Sequence, residues 1–284
     1  MFDRLFIWLQ YILPQHGLSK LAGAVARSER PWLRDRLIGK FIQSYKVNMA
    51  EAERPEGQYR NFNDFFTRAL KPDARPLADA TTSVLCPADG AVSQIGSIED
   101  GRIFQAKGQS YSAVELLGGD AELAQRFEGG NFATIYLSPS DYHRVHMAAA
   151  GTLESTTYVP GDLFSVNTVT AENVPRLFAR NERLSSVFAT PRGAMASVMV
   201  GAMIVASIET VWGGLVTPHQ KRVATQTFGS GVSQPQIFEA GDEMGRFLLG
   251  STVILLFEPG AMAWDDALVS GSVVRMGQAL GTWL

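Results

Sequence analysis

From about residue 82 onward the chain breaks into short β-like apolar runs separated by Gly, Pro, Asn and Asp. Ala91–Ile95, Phe132–Leu137, Thr152–Val159, Ser197–Ile208 and Val253–Phe257 are the clearest. Runs of that length with turn residues between them predict a mostly antiparallel β body. Within it, Ala113–Phe127 carries Val114, Leu116, Leu117, Leu123 and Phe127 and predicts a helix. The sequence shows no internal repeat and no low-complexity segment.

The first 50 residues follow a different period. Phe2, Leu5, Phe6, Leu9, Ile12 and Leu13 fall on one helical face, and Pro14 ends that helix. Leu18, Leu21, Ala22 and Val25 predict a second helix, and Leu33, Leu37, Phe41 and Tyr45 a third. Residues 1–50 hold eight Lys/Arg against three acids, whereas the whole chain carries a net charge of -3. A basic, aromatic-containing leading segment on an acidic body fits an anionic membrane interface. The plainer alternative is a helical layer covering its own body or a second copy of the chain, so a homodimer stays open. A cleaved signal peptide, with Leu5–Leu13 as its apolar core, fits less well because Asp3 lies early and the period is helical. No run of 18 apolar residues is present, so no membrane-spanning helix is expected.

The fold class expected is therefore α+β. Residues 1–50 form an amphipathic helical segment, 51–80 a short helix and linker, and 81–284 a β-rich catalytic domain. At 284 residues and 46% hydrophobic, the chain is large enough for a substantial core. One cysteine, Cys86, excludes an intrachain disulfide and a cysteine-cluster metal site. In residues 51–80, Asn61–Arg68 reads as a capped short helix with an aromatic face, and Lys71–Pro76 as an extended linker.

Polar residues interrupt the β body at chemically suggestive places. Gly250-Ser251-Thr252 lies between apolar runs. A hydroxyl beside an exposed carbonyl can attack it, although on the triplet alone a small-residue kink or bulge between strands is the better explanation. Cys86-Pro87-Ala88-Asp89-Gly90 sets an aspartate in a tight turn, which is most often only a turn. Tyr142-His143-Arg144-Val145-His146 follows a predicted strand; as a turn or short helix it would let both rings face one site. A metal needs further ligands, and His16 and His219 offer no such context, so none is expected.

These segments together resemble the phosphatidylserine decarboxylases. The resemblance rests on Asn61–Arg68 and Lys71–Pro76, on Pro87–Gly90, Tyr142–His146, Tyr158–Asn167 and Leu177–Arg183, and on Gly241–Phe247 with Gly250-Ser251-Thr252. It runs from roughly residue 60 to 260, in the family's order. Each motif is weak by itself and the ordered series is specific. The resemblance implies self-cleavage between Gly250 and Ser251 into chains 1–250 and 251–284, with Ser251 converted to a covalent pyruvoyl cofactor. It implies that Asp89 orients His146, that His146 is the base acting on Ser251, and that His143 serves the decarboxylation step. The implied substrate and partner is phosphatidylserine in an anionic membrane. The enzyme would be peripheral on the cytoplasmic face of the cell membrane, with no nucleic-acid partner. Two readings of other classes compete. One is a serine hydrolase using Ser251, His146 and Asp89, although the Gly-x-Ser-x-Gly elbow is missing. The other is a non-enzymatic β module with a membrane arm.

Overall fold

The structure, a computed structural model, describes residues 2–203, 207–216, 221–229, 235–248 and 251–284, without the side chains of Phe2, Arg4 and Ser251. Its organising layer is a nine-stranded antiparallel sheet. The run expected at Val253–Phe257 is the strand Ser251–Phe257, paired on both sides. Asn131–Leu137 lies along one edge and Gly193–Val200 along the other. Val253, Leu255 and Phe257 point into one apolar cluster with Ile135, Phe188 and Met199. Ile254 and Leu256 point into a second, with Phe132, Val198 and Val200. A strand covered on both faces reads as a continuous apolar run, which is why this stretch does not alternate. Burying a side chain of this size is worth about 1.5–3 kcal/mol, so this strand is anchored by its own packing.

A four-stranded sheet lies beside it, in the order Gly214–Val216, Ile208–Thr210, Glu243–Phe247, Arg144–His146. The chain passes between the two sheets twice in the region of interest. Asn131–Leu137 runs on through residues 138–143 into Arg144–His146. Glu243–Phe247 leads back toward Ser251–Phe257. Both pairs of strands are antiparallel neighbours, so the described ends of the two crossovers lie on the same strand pairs.

Gly90 opens the strand Gly90–Ser97. A Cβ at that position would overlap the Tyr136 carbonyl oxygen, so the strand's approach there requires glycine.

Helices α1 (Phe2–Ile12), α2 (Gln15–Ala26) and α3 (Pro31–Tyr45) form where helical periodicity was read. Helix α3 packs Ile38, Leu37 and Phe41 inward as an ordinary surface helix does, whereas α1 and the start of α2 are inside out. From α1 and the start of α2, Gln10 and Gln15 are buried against the body. The Gln10 Oε1 accepts from the Ser165 N–H at 2.8 Å, and the Gln15 Oε1 from the Leu163 N–H at 2.6 Å. The outward residues are apolar: Trp8 is 59% exposed, Leu21 65% and Trp32 67%. Among the described residues, no helix is long and apolar enough to cross a membrane.

Helix α4 (Phe62–Phe66) is capped by Asn61, whose side chain accepts from the Asp64 N–H at 3.0 Å. Its phenylalanines pack with Ile38 and Tyr59 in a third apolar cluster.

Three expectations need correction. Ala113–Phe127 forms two short helices, Ala113–Leu116 and Ala121–Arg126, because Gly118 and Gly119 take positive φ between them. The run Ser197–Ile208 is not one strand: Gly193–Val200 ends before a non-strand segment, and Ile208–Thr210 belongs to the other sheet. Residues 204–206 of that run lie outside the described ones. Lys71–Pro76 holds a short 3-10 turn, Pro72–Ala74, and Arg75 is drawn into the body by a buried ion pair.

Candidate active site

The paired crossovers gather most of the polar residues singled out in the sequence. Ser251 sits at the mouth of its strand, in register with Leu137. On the other crossover, the His143 carbonyl accepts from the Phe247 N–H at 3.0 Å. From Leu248, three peptide steps reach at most about 11 Å, so Ser251 is bound to lie near this His143-bearing segment. The expected cleavage residue Gly250 lies outside the described residues, as do His219 and the Ser251 side chain.

His143 is fully buried, with its ring centroid 4.0 Å from that of Phe66. Its Nδ1 lies 2.9 Å from the Asp141 carbonyl oxygen. A carbonyl only accepts, so Nδ1 carries the proton and Nε2 keeps its lone pair. That Nε2 has no hydrogen-bond partner among the described residues. Burial pushes the His143 pKa down to about 3; the hydrogen bond to the Asp141 carbonyl opposes this, and the nearby Arg68 cation, a smaller influence, adds to the lowering.

His146 uses different partners. Its Nδ1–H donates to the Gly241 carbonyl at 2.8 Å, and its Nε2 accepts from the Tyr142 hydroxyl at 3.0 Å. Burial lowers its pKa too, so it is a neutral imidazole with a basic nitrogen. The Tyr142–His146 segment is not the turn or short helix under which both rings would face one site. His146 lies in the strand Arg144–His146 rather than in a turn or helix, whereas His143 lies just before that strand.

Asp89 is buried at the turn where sequence placed it. The expected hydrogen bond to His146 is not formed. Arg75 Nε donates to the Asp89 Oδ1 at 2.8 Å and Arg75 Nη2 donates to Oδ2, while the Met276 N–H donates to Oδ1 at 2.9 Å. The arginine fork occupies the carboxylate, and the His146 ring is instead oriented by a backbone carbonyl and a phenol. The two segments still adjoin, because the His146 N–H donates to the Pro87 carbonyl at 2.8 Å. The Asp89 charge raises the His146 basicity through space, as the last-ranked influence on that ring.

Arg75, Tyr142 and Gly241 were given no role from sequence. Tyr142 stood inside a quoted motif; Arg75 is 14 residues from Asp89 and Gly241 contributes only its backbone. A Ser-His-Asp relay is therefore not assembled, which weighs against the serine-hydrolase reading. What the arrangement offers is a neutral base at His146 and a dry, unpartnered imidazole nitrogen at His143.

Comparison with known proteins gives a consistent answer. The family described as Phosphatidylserine decarboxylase matches residues 62–282, and a second family, described as PSD, matches residues 5–46. Proteins named phosphatidylserine decarboxylase proenzyme are similar along nearly the whole chain. One from Pseudomonas aeruginosa (strain LESB58) is 61% identical over 279 residues, covering 98% of this chain and 96% of that one. One from Ectopseudomonas mendocina (strain ymp) is 58% identical over 282 residues, covering 99% of each. One from Pseudomonas putida (strain W619) is 59% identical over 281 residues, covering 99% of this chain and 98% of the relative.

Proposed function

Because the chain belongs to the phosphatidylserine decarboxylase family, we propose that it cuts itself between Gly250 and Ser251 and then removes the carboxyl group of phosphatidylserine as carbon dioxide at a membrane surface. The observation that carries this reading is the pair of adjacent crossovers, one bearing His143 and the other leading into Ser251.

Self-cleavage begins with proton transfer. His146 Nε2 takes the Ser251 hydroxyl proton once Tyr142 yields that nitrogen. The oxygen attacks the Gly250 carbonyl carbon, the Gly250–Ser251 C–N bond breaks, and the amide becomes an ester. Loss of the Ser251 α-proton expels the Gly250 carboxylate; addition of water and loss of ammonia leave a ketone on the new N-terminus. The pyruvoyl group supplies the electron sink on which an amino acid loses carbon dioxide.

The residues present fit such a group. The strand beginning at Ser251 is held by partners on both sides, so it stays in place without the bond to Gly250. The orphan Nε2 of His143 is a buried acceptor with no structural duty. With its Nδ1–H fixed on Asp141 and the negative carboxylate of a bound substrate raising its basicity, His143 can take a proton from the substrate ammonium through Nε2. It returns that proton to the α-carbon after carbon dioxide leaves, so the proton count closes.

Helices α1–α3 supply the membrane contact in this reading. Their outward face is apolar, and Lys20, Arg27, Arg30, Arg36 and Lys40 are exposed around it. Trp8→Glu with Leu21→Glu is expected to weaken binding to vesicles rich in phosphatidylserine by tenfold or more. Decarboxylation of vesicle substrate should fall with it, while self-cleavage stays intact. Vesicle sedimentation and carbon dioxide release measure the two. Undiminished binding of the double variant would remove the helices from the membrane role.

A further inference from the structure

A polar cavity of about 220 Å³ borders the Ser140–Tyr142 segment that leads into His143, with Lys46, Arg68, Arg75, Asp89 and Arg275 among its other lining residues. Most of its charges are already matched. Arg75 pairs with Asp89 and Glu51, and Arg275 approaches Glu51 at 3.7 Å. Arg68 differs. It is 3% exposed and lies over the Phe65 ring at 5.5 Å. Its Nη2 donates to the carbonyls of Ser140 at 3.2 Å and Asp141 at 3.4 Å. Its Nε and Nη1 have no hydrogen-bond partner among the described residues.

Leaving buried N–H groups of a cation unsatisfied is costly, and Arg68 has no carboxylate paired to it among the salt bridges of the described residues. A guanidinium with unpaired N–H groups on two nitrogens is suited to the oxygens of a phosphate group. Lys46, at the end of α3, adds a second cation on the cavity wall. Asp141 is the opposing carboxylate there; its oxygen is engaged by the Ser138 N–H at 2.7 Å and burial raises its pKa.

The position relative to His143 gives the site its meaning. One carbonyl, that of Asp141, accepts from both the His143 ring and the Arg68 guanidinium. An anion held by Arg68 would thus sit next to the imidazole. In a phosphoserine headgroup, only a methylene and an ester oxygen separate the reacting α-carbon from phosphorus.

We propose that Arg68, assisted by Lys46, binds the phosphodiester of the substrate headgroup in this cavity and so sets the α-carbon beside His143. The inference rests on the decarboxylase reading, but its test does not need turnover. Glycerophosphoethanolamine, which has the phosphodiester and amine but no carboxylate, is compared with ethanolamine and with inorganic phosphate for binding to the purified full chain at matched ionic strength. The diester is expected to bind about tenfold to a hundredfold more tightly than ethanolamine, the range of charge-assisted hydrogen bonds. Arg68→Gln should erase that advantage. Arg68→Lys, which keeps the charge without the fork, should restore part of it. If Arg68→Gln leaves the ratio unchanged, or weakens both amines alike, Arg68 is only a brace for the crossover and the proposal fails. Inorganic phosphate binding as tightly as the diester would also overturn it, since the cavity would then be a free-phosphate site. Carbon dioxide release is read separately: its absence sinks the decarboxylase reading and leaves the binding ratios to decide this one.

Discussion

Ser251→Ala is expected to leave the chain whole, with no 251–284 fragment and no carbon dioxide released from phosphatidylserine. The wild-type chain should give two fragments, 1–250 and 251–284, the second lighter by one ammonia than a serine-started peptide. Intact mass spectrometry decides it. The effect is all-or-none, because the hydroxyl oxygen that makes the cut must also leave with the Gly250 carboxylate before water can install the ketone on the α-carbon. Folding should survive. The hydroxyl is lost at the first residue of a strand whose following five apolar side chains sit in two buried clusters. A folded wild-type chain that never cleaves would end the self-processing reading.

The second large effect falls on His143. His143→Ala is expected to cleave itself but to lose about a hundredfold to ten-thousandfold in carbon dioxide release, the usual range for a removed acid–base group. Loss of both reactions together would instead mean that the ring only supports the crossover through its packing on Phe66. The same ring makes stability depend on pH in a defined direction. Its folded pKa is depressed to about 3, while the unfolded value is about 6.5. The neutral form is favoured by folding, so the contribution is complete above about pH 6.5. As pH falls below that, the unfolded chain takes up a proton that the folded chain refuses. Stability is then lost by up to about 1.4 kcal/mol per pH unit until the folded pKa is reached. His146, also depressed, adds to the same slope. Thermal melts between pH 7 and 4 should show a shallower decline in His143→Gln than in the wild-type chain.

How much of this was legible in sequence follows from what kind of interaction each feature uses. Helices α1–α3 announce themselves by periodicity, and the strand Ser251–Phe257 by an apolar run. Ala113–Phe127 has the apolar spacing of one helix, but Gly118-Gly119 breaks it, and the glycine pair was the signal to read. Asp89, His143 and Ser251 were found as residues, yet the partnerships were not. Arg75 takes the carboxylate that was assigned to His146, because a guanidinium fork satisfies both carboxylate oxygens at once. The Gly241 carbonyl that orients His146 belongs to the backbone, which every residue carries and no sequence pattern marks. The orphan nitrogens of Arg68 and His143 are properties of burial and emerge only after the chain is folded.

The Ser251–Phe257 strand lies inside the nine-stranded sheet, with neighbours on both sides. In the uncut chain, forming those contacts is an intramolecular event with a high effective concentration. The proposed cut would leave the same contacts joining two molecules. The uncut chain can regain its sheet at any dilution. A cut pair, once unfolded, would have to meet again by diffusion, so its recovery would depend on protein concentration. Self-cleavage as proposed would therefore be a one-way step in assembly as well as in chemistry: the sheet built by one chain and afterwards kept by two.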